Sequence, residues 1–306
     1  MNYLFASLST DAYENLARDE YILDTLAPGD TVLYLYVNAR AVIIGRNQNP
    51  LNECDMHKLN ADGVQLVRRI SGGGAVYHDA GNLNFSFITS EENYSEARFT
   101  GVILSALAAF GINAEATGRN DITVNGLKFS GGAFAVRGGK RLYHGTLLVS
   151  SDLSVFSKYL TPSKLKLDSK GIKSVRARVC SLNELAPALT VEKMKHALTA
   201  VFSTEFGEVK PLAFTPLDEA RIAALRRERM KWEWRMGETP RFDAEIERRF
   251  SFGNAKIMLR TESGMIREVR VYTDSMDTDL PEKAAAVLKN TRFDEAEIID
   301  RLESIK

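Results

Sequence analysis

The chain has 306 residues, 44% of them hydrophobic and 26% charged, with 40 Lys and Arg set against 40 Asp and Glu. That length can bury a sizeable core and predicts one large and one small domain, and the zero charge balance excludes a global field that would draw the protein to nucleic acid or a membrane. Cys54 and Cys180 are too few for a disulfide framework and wrongly spaced for a zinc site; with no apolar run near the ~20 residues of a membrane span and no basic leader at the N-terminus, a cytoplasmic location is expected.

In chain order, Ala12, Leu16, Leu23 and Leu26 recur at helical spacing between the N-cap candidates Ser9, Thr10 and Asp11 and the breaker Pro28-Gly29, which predicts an amphipathic helix over residues 10–26. Short β-branched and aromatic runs at 31–37, 40–44, 64–67 and 83–88 predict strands of a mixed sheet. A helix is expected over 99–110, stopping at Gly111. Residues 121–129 read as two short strands joined by Asn125-Gly126, the strongest short-range hairpin signal, which puts Lys128 on the returning strand. A strand at 141–150 and a short helix at 152–160 follow. Residues 161–178 carry Lys164, Lys166, Lys170, Lys173, Arg176 and Arg178 against a lone Asp168 and read as a basic loop. Helices are expected at 191–206 and 217–230. From Ile246 a strand, a turn at Glu262-Ser263-Gly264, a second strand at 266–272 and two helices form a small unit. The expected fold class is α+β: a catalytic domain over 1–245 built on a mixed sheet with flanking helices, and a small α/β domain over 246–306.

Two glycine-rich stretches carry the chemistry. In Arg68-Arg69-Ile70-Ser71-Gly72-Gly73-Gly74-Ala75-Val76-Tyr77-His78-Asp79, three consecutive residues lack side chains where a backbone must come close to something, and flanking guanidinium groups suit a phosphate or carboxylate. The pattern is neither a P-loop nor a dinucleotide fingerprint. In the second stretch Lys128 precedes Ser130-Gly131-Gly132-Ala133, so a compact ammonium on a stiff hairpin faces another small-residue surface. That arrangement can bridge a carboxylate and an α-phosphate while negative charge builds between them. Asp121 is a Mg²⁺ ligand or a strand cap. His78 and His144 read as loop-fixing residues rather than general bases, Cys54 and Cys180 as buried hydrophobes, and Trp232 and Trp234 as domain-packing aromatics.

The glycine stretches, Gly118-Arg119-Asn120-Asp121, His144-Gly145-Thr146-Leu147-Leu148 and Lys170-Gly171-Ile172-Lys173-Ser174-Val175-Arg176 together resemble, in order and spacing, the lipoate–protein ligases of the LplA type, whose fold is biotin/lipoate ligase-like. The resemblance spans essentially the whole chain, including an accessory C-terminal domain. It implies activation of lipoate by MgATP to lipoyl-AMP, followed by transfer to a lysine of a lipoyl domain of a 2-oxoacid dehydrogenase complex or of the glycine-cleavage H protein. By the same resemblance Arg69, Gly74, Ala75, Val76, Tyr77, Lys128 and Lys173 would contact ATP or the adenylate; Lys128, Gly73 and His144 would contact lipoate; and Asp121 would hold Mg²⁺. Octanoyl- and lipoyltransferases of the same fold pass the acyl chain through a cysteine, and no cysteine lies between Lys128 and Val179. Biotin–protein ligase and a non-catalytic lipoate-binding homologue are the remaining alternatives.

Overall fold

The computed structural model describes residues 1–117, 120–161, 179–236, 244–262 and 264–305. Its centre is an eight-stranded sheet of β1 (Asn2–Ala6), β2 (Thr31–Val37), β6 (Asn82–Ser90), β7 (Glu115–Thr117), β8 (Asp121–Val124), β9 (Leu127–Arg137), β10 (Lys140–Leu148) and β11 (Val209–Pro211). Their spatial order is β11-β1-β2-β6-β10-β9-β8-β7. β1 pairs in parallel with both β2 and β11, and the pairs from β2 to β7 are antiparallel.

Side chains alternate across a strand, and here the two faces collect different partners. Leu33, Leu35, Phe85, Phe87, Tyr143 and Leu147 face the main core with the helices Glu96–Ala108 and Val191–Phe206. Phe87 stacks on Phe99 of the first of these with ring centroids 4.6 Å apart. Val32, Tyr34, Tyr36, Ile88 and Leu142 face the other way, against Ile22, Leu23 and Leu26 of the segment led by α1 (Ala12–Thr25). α1 also packs Ala12, Tyr13 and Leu16 against a second sheet of β4 (Gln65–Arg68), β3 (Ala41–Ile44) and β5 (Val76–His78). Held between two sheets, α1 buries eleven of its fourteen residues, Arg18, Asp19 and Glu20 among them.

The C-terminal unit has its own core. β12 (Ala244–Phe250), β13 (Gly253–Glu262) and β14 (Met265–Thr273) form an antiparallel sheet, and Ile257, Leu259, Ile266 and Val271 pack against Ala284, Leu288, Ile298 and Leu302 of the helices Leu280–Leu288 and Glu295–Glu303. The expected pair of strands is thus three, because the chain turns at Ser251-Phe252 inside what reads as one continuous run.

Other boundaries move for local reasons. α1 starts at Ala12 because Asp11 caps it, and the helix Glu96–Ala108 starts three residues before the expected point, because Ser95 accepts from the Arg98 N–H. Residues 152–160 divide into a 3₁₀ turn, Leu153–Val155, and a single helical turn, Phe156–Tyr159. The Asn125-Gly126 hairpin forms as expected, with both residues at positive φ (52° and 75°), but its returning strand runs on to Arg137. The basic loop lies, from residue 162 onward, outside the described residues.

Candidate active site

The first glycine stretch leaves β4 at Arg68 and returns as β5. Arg68 and Arg69 are both buried, and both guanidinium groups grip backbone. Arg68 donates to the carbonyls of Gly45, Arg46, Gln48, Trp234 and Arg235. Arg69 donates to the carbonyls of Gly72 and Gly74, at 2.6 and 2.9 Å from Nη2, to that of Ile43 at 3.3 Å, and from Nε to Ser71 Oγ at 3.0 Å. Burial lowers each guanidinium to about 10, so both stay charged at neutral pH.

Glycine is required here by close approach. A Cβ on Gly45 would lie 2.0 Å from the Gly73 carbonyl oxygen, and one on Gly72 would lie 2.4 Å from the Ser275 carbonyl oxygen. The second contact comes from the C-terminal unit. The chain leaving β14 crosses the loop, where Gly73 N–H donates to Ser275 O at 2.9 Å, Thr273 N–H donates to Asn47 O at 3.0 Å, and the Met276 side chain lies against Gly73. The bare backbone expected to cradle an anion is therefore covered, in this arrangement, by the protein's own main chain.

Beneath the loop lies the α1 face of the large sheet. Leu142, His144 and Thr146 alternate onto that face of β10. His144 Nε2 is 2.6 Å from Ser71 Oγ and its Nδ1 is 2.9 Å from Asp19 Oδ2. Gly131 N–H donates to Thr146 Oγ1 at 3.4 Å, and the Lys128 ammonium folds over Gly131, 3.0 Å from where a Cβ would stand. Since His144 and Thr146 are two residues apart on one strand, about 6.5–7 Å, Lys128 and the Ser71 loop share this face. Lys128 is ion-paired with Asp121 across the hairpin at 2.6 Å and is 39% exposed.

Several other groups complete the surroundings. β6 places Asn82, Asn84 and Ser86 opposite Leu148, Thr146 and His144, and both amide atoms of the fully buried Asn82 side chain are without a partner among the described residues. His78 Nδ1 accepts from Asn38 Nδ2 at 3.0 Å, and burial beside Arg69 and His144 lowers the ring to about 3. Glu20 is pushed up by burial, but bonds from Arg229 and Arg137 outweigh that and hold it below its ordinary value.

Of the residues expected from the sequence, the fold brings Arg69, Gly73, Gly74, His144, Lys128 and Asp121 to this region. Ala75 and Val76 are half-buried beside them, and the Tyr77 ring points into a separate cluster, stacked 5.3 Å from Tyr159. Lys173 lies outside the described residues. Both cysteines are buried free thiols. Trp234 packs between the Arg46 and Arg229 guanidinium groups, at 4.8 and 3.9 Å, and returns a hydrogen bond to Arg68 O, whereas Trp232 is 54% exposed and does not pack as expected. Asp19, Glu20, Asn82 and Arg229 were missed. A signal existed for two of them: Asp19 and Glu20 stand where the apolar stripe between Leu16 and Leu23 calls for a hydrophobe.

Comparison with known proteins places this geometry. The lipoyl protein ligase A/B catalytic domain matches residues 11–203, and the C-terminus of bacterial lipoate protein ligases matches residues 239–306. A lipoate-protein ligase A of Psychrobacter cryohalolentis is 37% identical over 313 aligned positions, covering 99% of this chain and 92% of that protein. P. falciparum LipL1, solved in complex with lipoate, superposes with a TM-score of 0.85 at 27% identity over 100% of this chain and 95% of its own. A lipoate-protein ligase A solved with ATP superposes with a TM-score of 0.67 at 28% identity over 77% of this chain and 98% of its own. The bipartite ligase of Thermoplasma acidophilum, studied with its E2 lipoyl domain, gives 0.69 at 29% identity over 78% and 97%. With both of its units matched and its whole length aligned, the chain belongs to the lipoyl protein ligase A/B family and carries the C-terminal unit of the bacterial lipoate–protein ligases.

Proposed function

We propose that this protein is an ATP-dependent lipoate–protein ligase, which makes lipoyl-AMP from free lipoate and passes the lipoyl group to a lysine of an acceptor lipoyl domain. The observation that carries the reading is the single sheet face shared by the Lys128 ammonium and the Ser71–Gly74 loop. In the first step a lipoate carboxylate oxygen attacks the α-phosphorus and the bond to the pyrophosphate oxygen breaks. Two anions meet there, and a fixed ammonium offsets the charge that accumulates between them. In the second step the acceptor amine attacks the acyl carbon, the bond to AMP breaks, and a proton is released as the amide forms.

The remaining roles follow the same reading. Of the five N–H groups of Arg69, one on Nη1 is left over from the loop contacts, which supports a role toward the nucleotide. β5 is an edge strand of its sheet, and Gly74, Ala75 and Val76 at its start are half-buried, which supports backbone contacts from the Gly74–Tyr77 segment to a ligand. Gly73 and His144 would stand near the lipoyl carbonyl; Lys173, with the basic stretch around it, would cover the adenylate. Nucleotide-bound Mg²⁺ usually takes one or two carboxylates and keeps several waters, and Asp121 is the carboxylate beside Lys128. The division of labour would follow residues 1–245 for catalysis and 246–306 as the accessory unit. The acceptors would be lipoyl domains of 2-oxoacid dehydrogenase complexes or the glycine-cleavage H protein, in the cytoplasm.

Acyl transfer through a thiol is the weaker reading. Burial pushes the Cys54 thiol up to about 12 and raises Cys180 as well, so neither offers a thiolate near neutral pH. The test is direct: pyrophosphate release with lipoate and MgATP, then the mass of an apo-lipoyl domain after incubation. Lys128→Ala is expected to slow adenylation at least about 100-fold, the usual consequence of removing a group that stabilises transition-state charge. More than a tenth of the parental rate in that variant would remove Lys128 from its assigned role.

A further inference from the structure

Asp19, His144 and Ser71 form a buried carboxylate–imidazole–hydroxyl chain, the hydrogen-bond order found in hydrolases. Their side chains are 1%, 7% and 0% exposed, respectively. Each comes from a different element: Asp19 from the middle of α1, His144 from the centre of the large sheet, and Ser71 from the first turn of the glycine loop. Tyr36 OH also donates to Asp19 Oδ2, at 3.3 Å. A nucleophilic role for Ser71 does not fit, because its Oγ is sealed from solvent and accepts a hydrogen bond from the Arg69 guanidinium at 3.0 Å, which draws electron density from the oxygen that would attack.

We propose instead that the chain is a positioning relay that sets the main-chain geometry of the glycine loop for adenylation, an inference that rests on the ligase reading above. The Asp19 carboxylate beside Nδ1 fixes the imidazole as the Nδ1–H tautomer. That leaves Nε2 to accept the Ser71 hydroxyl proton, and leaves Ser71 Oγ to accept from Arg69. With Nε so placed, Arg69 turns Nη2 to the carbonyls of Gly72 and Gly74, while Ser71 O accepts from Arg46 N–H at 2.8 Å. A run of three glycines has large conformational freedom to lose on ordering. The relay fastens Ser71, the residue before that run, to a central strand, and through Arg69 it orients the carbonyls that follow. The small cavity beside it, about 10 Å³ and lined by Leu16, Asp19, Arg69, Ile70, His144 and Arg229 among others, leaves little room for these groups to shift.

Two measurements on the full-length protein test this. The first needs no turnover: amide hydrogen exchange at residues 71–74 is expected to speed up about tenfold in Ser71→Ala and in His144→Ala, with the rest of the sheet unchanged. Unchanged exchange at the loop overturns the relay, whether or not the protein proves to be a ligase. The second is kinetic. In Ser71→Ala the kcat of adenylation is expected to fall about 10- to 100-fold, as misplacement near the reacting atoms does, while the KM for lipoate moves less than about threefold. His144→Gln, whose amide oxygen can accept the Ser71 proton, is expected to recover most of the activity lost in His144→Ala. A kcat for Ser71→Ala within about threefold of the parent overturns the proposal, as does a lipoyl ester found on Ser71 by mass spectrometry. The parent protein's own pyrophosphate release tests the ligase reading separately.

Discussion

A histidine can hold a loop or titrate, and His78 shows which applies inside this fold. Its Nδ1 accepts from Asn38, and burial lowers the ring to about 3 from an ordinary 6.5. In the folded state it is therefore neutral, and below about pH 6.5 the unfolded chain binds a proton that the folded chain does not. Stability then falls as pH drops toward 3. Between pH 7.5 and 5 the loss from this one group is about 2 kcal/mol, in a window above that in which the lowered carboxylates Asp11 and Glu20 act. Asn at position 78 can present an oxygen to Asn38 without titrating, so in denaturant melts at the two pH values His78→Asn should lose about 2 kcal/mol less than the parent. Equal losses would show that another group governs this range. At this scale much of the site was legible: the glycines, Arg69, Lys128 and His144 stand out as residue types at suggestive spacing. Asp19 interrupts the apolar stripe between Leu16 and Leu23, but what its carboxylate meets there, His144 and Tyr36 from distant strands, is not a local property.

Elements are predictable where one local signal dominates. Asn125 and Gly126 both sit at positive φ, and a Cβ on Gly126 would touch nothing within 4 Å, so Gly126→Ala isolates backbone strain from packing. A cost of about 1–2 kcal/mol is expected, read as a lower midpoint in chemical denaturation. No change would mean that the turn does not set the register that carries Lys128. The helix Val191–Phe206 was legible for the same reason, with Thr190 as its cap. The strands of the C-terminal unit were harder, since residues 246–262 read as one apolar alternation until the turn at Ser251-Phe252 is seen. β6 held a different ambiguity. Polar residues alternating with Leu83, Phe85 and Phe87 predict a strand with one wet face, yet all nine residues are buried. Which polar face meets solvent and which becomes the floor of a site is not a local property.

Across the whole molecule, the unexpected feature is where the C-terminal unit rests. Its chain from Thr273 to Thr278 is pinned on the glycine loop by Gly73 N–H to Ser275 O, Thr273 N–H to Asn47 O and Asn47 Nδ2 to Thr278 O. A nucleotide that takes the Gly73 N–H must displace Ser275. A methyl group on Gly72 would do the same by steric force, since it would stand 2.4 Å from Ser275 O and 2.8 Å from Met276 O, both rigid backbone atoms. Gly72→Ala is therefore expected to release the C-terminal unit and speed its proteolytic removal several-fold, with the separate core around Ile257 and Leu302 intact. Unchanged cleavage would show that the contact does not hold the two units together.

By itself, the sequence determined the family, the hairpin that carries Lys128, the glycine cradle and the presence of two units, because each depends on residue type at short spacing. Only the tertiary structure decided that α1 is dry on nearly every side, that Asp19 meets His144 and Ser71 from three distant segments, and that the Ser275 backbone occupies the cradle. Hydrogen bonds between residues 73 to 202 positions apart cannot be read from local spacing; they exist because two sheets close on one helix and a separate core brings its connecting chain down onto three glycines.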